Sequence, residues 1–128
     1  MFENFVPFNF SEGTPSISIT KNGVTFSKGV VMKMGYPEHV QLLIDKIGQQ
    51  IAVKSCNEDE ENATPFCSAE KKAKGTVISI RWNQKDLLNT LSNMMGWNLK
   101  EDAFRAEGVY IDSENAVLFD LKNATPLK

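Results

Sequence analysis

The chain has one histidine and two cysteines, so chemistry that needs a thiol or an imidazole rests on His39, Cys56 and Cys67. His39 follows Tyr36-Pro37-Glu38 and opens an apolar segment, the setting of a surface imidazole rather than of a proton shuttle. The cysteines stand too far apart for the paired spacing of a zinc knuckle, and they read as free thiols. Glu58, Asp59, Glu60 and Glu61 lack the glycine and the alternate-position ligands of a calcium loop, so they read as solvated charge. Asp112-Ser113-Glu114-Asn115 reads as a hairpin turn. No nucleophile elbow, phosphate-binding loop, dinucleotide fingerprint or zinc-protease helix occurs. Catalytic, cofactor-binding and metal-binding residues are therefore expected to be none, and the chain is not read as an enzyme.

Two further short runs could bind without reacting. Arg81-Trp82 could stack on a nucleotide base, and Met94-Met95-Gly96-Trp97 could form a soft docking patch. At the end of an amphipathic helix, Met and Trp belong to a core more often than to a site.

These residues need elements to hold them, and the polarity pattern supplies an α+β arrangement in one domain spanning 1–128. Residues 1–15 form an aromatic arm in which Phe2, Phe5, Phe8 and Phe10 are candidate partner contacts. The arm either covers its own core or crosses to a second copy. Ser16 to Thr20 alternates as a half-buried strand, Asn22-Gly23 turns the chain, and Val24 to Phe26 returns. Ser27 has the chemistry of an N-cap for a short helix to Met34, which Gly35 stops. A hairpin from His39 to Cys56 completes a first strand–helix–hairpin unit, 16–56.

Residues 57–75 change from acidic to basic and read as a flexible charged linker, with Pro65-Phe66-Cys67 able to pin it to the body. The pattern then repeats over 76–121. It has a strand to Trp82, an Asn83 cap, a helix from Gln84 to Met95, a Gly96 stop, and a hairpin of Phe104–Ile111 with Ala116–Leu121. Leu87, Leu88, Leu91, Met94 and Met95 form the apolar stripe of that helix. Residues 122–128 read as a frayed polar tail.

The net charge of −2 hides an asymmetry. Within 16–56, Lys21, Lys28, Lys33, Lys46 and Lys54 outnumber Glu38 and Asp45, a local charge of +3. That falls short of the strongly basic signature of a dedicated nucleic-acid binder. No apolar run approaches the roughly 20 residues that span a bilayer, and no leader pattern stands at the N-terminus. A cytoplasmic protein without a membrane partner is expected.

The stretch from Gly23 to Gly35, with the hairpin after it, resembles the core of AbrB/MazE/MraZ-type swapped-hairpin domains over residues 17–56. The resemblance implies two units interlocked in a pseudo-twofold barrel, with 76–121 or a second chain supplying the other unit. It also implies DNA binding. The DNA-reading arginines of those domains fall near Val24, Val31 and Met32, which are apolar here. Lys21, Lys28 and Lys33 remain as candidate nucleic-acid contacts, able to touch phosphate without reading sequence. The expected role is a non-catalytic regulatory or interaction protein, a homodimer or a weak DNA binder. A protein-binding module of antitoxin or phage type without DNA binding, and a small-ligand-binding domain or enzyme, stand as alternatives.

Overall fold

The computed structural model describes residues 2–6, 14–67 and 79–127. Among the described residues, nine strands form one antiparallel sheet, accompanied by two α-helices. The strands are β1 (Ser16–Thr20), β2 (Gly23–Phe26), β3 (His39–Asp45), β4 (Gln50–Ser55), β5 (Thr64–Pro65), β6 (Ile80–Trp82), β7 (Phe104–Ile111), β8 (Ala116–Asp120) and β9 (Thr125–Pro126). The helices are α1 (Lys28–Lys33) and α2 (Lys85–Met95).

This sheet overturns the α+β arrangement of two strand–helix–hairpin units, and the pseudo-twofold barrel built from them. The order is β5-β3-β4-β8-β7-β1-β2-β6, with β9 beside β7. Strands of the first half therefore pair with strands of the second: β1 with β7, β2 with β6, and β4 with β8. The hairpins themselves form where the turns place them. What the local pattern leaves open is the partner of each hairpin's outer edge, and those edges join the halves into one sheet. The helices are too small to make a layer: α1 has 6 residues and α2 has 11.

The sheet bends along β7. Phe104 to Glu107 pair with β1, whereas Gly108 to Ile111 pair with β8. Gly108 stands at the change of partner, and its amide donates to the Pro15 carbonyl at 2.8 Å. A Cβ there would lie 2.5 Å from Val117 Cγ1 and 2.7 Å from Phe119 Cε1, so only glycine lets β8 pack this closely.

The bend curls the sheet into a half-barrel and brings its two outer strands together. Trp82 Nε1 on β6 donates to the Pro65 carbonyl on β5 at 3.3 Å. Beneath that bond the Phe26 ring packs on Trp82 (centroids 4.8 Å apart), Phe66 (5.5 Å) and Phe119 (6.2 Å). Ile17, Ile19, Val24, Ile51, Val53 and Val117 fill the concave face in strict alternation along their strands. Leu91 of α2 and Val30 and Val31 of α1 complete the same core.

Four local expectations change. Ser27 occupies the N-cap position of α1 but caps nothing. Its Oγ accepts the Ser16 amide at 2.9 Å, so tertiary pairing to β1 takes the oxygen that a helix would use. The residue before α2 is Gln84 rather than Asn83, again without a side-chain cap. The linker expected over 57–75 is structured in its first part, where Phe66 and Cys67 are buried and β5 pairs with β3. Residues 68–75 lie outside the described residues, as do Val77 and Ile78. The tail expected to fray instead adds β9, paired with Phe104 and Arg105. No helix among the described residues is long and apolar enough to cross a membrane.

Candidate functional site

A depression of about 610 Å³ lies between α2 and the connector that follows it, with the β1–β2 turn at one side. Lys85, Leu88, Asn89 and Ser92 present one helical face to it, at the i, i+3/i+4, i+7 spacing. Gly96, at φ +69°, ends the helix and sends the chain back along it. The Trp97 amide donates to the Ser92 carbonyl at 3.0 Å, and Ser92 Oγ donates to the Trp97 carbonyl. These two bonds hold the connector beside the helix. Trp97 itself stacks on Phe104, with centroids 4.1 Å apart and planes 11° apart, which fixes the aromatic wall.

Three lysines converge on this groove: Lys21 from the β1–β2 turn, Lys85 from the start of α2, and Lys100 from the connector. Asn89, Asn98 and Ser92 add neutral polar groups, and no carboxylate lines it among the described residues. The neighbouring acids Asp86, Glu101 and Asp102 are exposed outside its walls. A groove lined by three lysines and, among the described residues, by no carboxylate suits an anion.

The structure separates the basic residues singled out from the sequence. Lys21 reaches the groove, whereas Lys28 opens α1 and Lys33 closes it. Helix α1 follows the far end of β2, and four residues of strand put roughly 13 Å between that end and the turn. Val24 and Val31 are core residues, so the positions implied for DNA reading are closed at those two points. Lys85 and Lys100 escape sequence reasoning because no spacing rule links a helix start to a loop 15 positions later. The glycine stop after α2 was the available signal, since it predicts a connector folded back on the helix.

The remaining candidates stand apart from the groove. Phe2 and Phe5 form an edge-to-face pair at 5.3 Å and are 68% and 70% exposed. Phe8 and Phe10 lie outside the described residues. Trp82 is buried in the core, and Arg81 Nε donates to Thr25 Oγ1 at 3.3 Å across β2 and β6. Met94 and Met95 pack against the core rather than forming a docking patch.

His39 and Cys56 border a smaller depression, about 310 Å³, with Glu38 and Glu58. Burial, then the adjacent Glu60 carboxylate, then Asp59 push the Cys56 thiol above its ordinary value of 9.0. A thiol held protonated is a poor nucleophile. Iodoacetamide should therefore modify Cys56 more slowly at pH 8 than it modifies a free cysteine peptide, with the rate climbing above pH 9. Modification at pH 7 faster than the peptide's would show the opposite environment. The associated stability is present below the unfolded thiol's pKa and is lost as pH rises through the higher folded value. Among the described residues no group of three or more His, Cys, Asp or Glu side chains could hold a metal. Cys67 is buried, and neither cysteine is in a disulfide.

Compared with protein-family models, curated proteins and solved structures, the chain matches none of them.

Proposed function

We propose that the protein is a non-catalytic cytoplasmic regulatory or interaction protein that holds a nucleic-acid strand weakly in the groove beside α2. The observation that supports this reading is the convergence of Lys21, Lys85 and Lys100 with no carboxylate among them. Lysine contacts phosphate as a point charge, so such a groove positions a strand without reading its sequence. Trp97 and Leu99 give the groove apolar surface against which a base can lie. A single strand is favoured over a duplex because the contacts lie inside a concave groove, while Val24 and Val31 are buried.

The test is fluorescence anisotropy with a labelled single-stranded 12-mer over a salt series beginning at about 50 mM. Three phosphate contacts give a slope of log K against log salt of about −2. Lys21→Ala with Lys85→Ala and Lys100→Ala should remove most of the binding, whereas Lys28→Ala with Lys33→Ala should leave it. No binding at low salt, or unchanged binding in the triple variant, would overturn the reading. A protein partner is the second reading, favoured by the exposed apolar side chains of Phe2, Phe5 and Val6.

A further inference from the structure

The convex face of the half-barrel carries an apolar row that no described residue covers. Register aligns Leu43 on β3 with Ala52 on β4, Ala52 with Leu118 on β8, and Leu118 with Val109 on β7. All four side chains point away from the core, because their neighbours Ile51, Val53, Val117 and Phe119 point into it. Leu43 is 47% exposed and Val109 is 65% exposed. A shallow depression of about 150 Å³ opens at Leu43, Ala52 and Leu118. Outward apolar residues on four adjacent strands form a patch, unlike the scattered exposed residues of an ordinary surface.

The rows on either side differ in charge. One holds Gln41, Lys54, Ala116 and Ile111 in register. The other holds Asp45, Gln50 and Asp120. Lys54 makes an exposed ion pair with Glu114 at 3.8 Å, and Asp120 makes one with Lys122 at 3.1 Å. Such pairs are worth little and can rearrange.

We infer that this face is a twofold contact with a second copy of the chain, its axis lying along the apolar row. Rotation about that axis lays the row on itself and exchanges the flanking rows. Lys54 of one copy then lies over Gln50 of the other, between Asp45 and Asp120. The other in-plane axis, along the strands, would place Gln50 over Asp120 and leave Lys54 over Ala116, so it forgoes that attraction. A twofold contact is self-complementary by construction, which a face basic on one side and acidic on the other provides.

The size of the face sets the strength. Four strands about 4.8 Å apart and three outward residues per strand cover roughly 400 Å². A standard stable interface takes about 800 Å² per partner, so this dimer is weak and depends on concentration.

Sedimentation equilibrium from about 10 μM to 1 mM tests it, a range suited to the weak end of association. The mass should rise from 14.3 kDa towards twice that value. Because Val109 faces its own copy across the axis, Val109→Glu and Val109→Lys should each remain monomeric, while an equal mixture of the two should dimerise. Circular dichroism melting confirms that each variant is folded. A wild-type monomer at 1 mM, or a mixture that stays monomeric, overturns the inference. A dimer lost in Phe2→Ser with Phe5→Ser but kept in Val109→Glu also overturns it, and assigns assembly to the arm.

Discussion

Replacing Phe26 by alanine should lower the free energy of unfolding by about 3–5 kcal/mol, the loss typical of a buried phenylalanine. The ring is fully buried and stands where the curled sheet meets itself. It touches Trp82 from β6, Phe66 from the segment after β5, and Phe119 from β8. Truncation therefore leaves a void between elements of both halves of the chain, and the edges of three other rings lose their partner. Domains of this size are stable by about 5–15 kcal/mol, so the variant sits near the limit of folding at ordinary temperature. Urea denaturation followed by tryptophan fluorescence measures the loss. Phe26→Leu, which retains most of the volume, should recover more than half of it. A loss under about 1 kcal/mol for the alanine variant would mean that the cluster closes nothing.

The second large effect belongs to Asn115, which sits in the β7–β8 turn at φ +45°. Its Nδ2 donates to the Met34 carbonyl at 3.1 Å and to Ser55 Oγ at 3.0 Å, while its Oδ1 accepts from the Tyr110 hydroxyl at 2.8 Å. One side chain thus ties the end of α1 to β4 and to β7. Asn115→Ala combines left-handed strain of about 1–2 kcal/mol with the loss of three bonds at about 1 kcal/mol or less each. A destabilisation of about 3 kcal/mol is expected. Asn115→Gly retains the bonds' absence but removes the strain, so it should cost about 1–2 kcal/mol less than alanine. Equal losses in the two variants would assign the whole effect to the hydrogen bonds.

Asn115 also shows how far a sequence can be read. The Asp112-Ser113-Glu114-Asn115 run announces a turn, since asparagine tolerates the left-handed region. That the same asparagine would bond a carbonyl 81 positions away is not visible there, because nothing local encodes the meeting. Ser27 makes the same point in reverse: its chemistry suits a cap, but proximity to Ser16 decides what its oxygen accepts. The groove divides likewise. Lys21 is legible as a basic turn residue, whereas Lys85 and Lys100 join it only because Gly96 turns the connector back.

What the sequence by itself determined were the local elements. Period-two alternation marks β1, the helical stripe marks α2, and Gly35 and Gly96 mark the helix ends, since each follows from backbone sterics and burial within a few residues. What only the tertiary structure decided was which strand edge pairs with which. A hairpin's outer edge presents the same amides and carbonyls to any partner, so the choice falls to the shape of the whole core. Here Gly108 admits β8 beside β7, and the ring cluster around Phe26 draws β6 to β5. The result is one curled sheet in place of two repeated units.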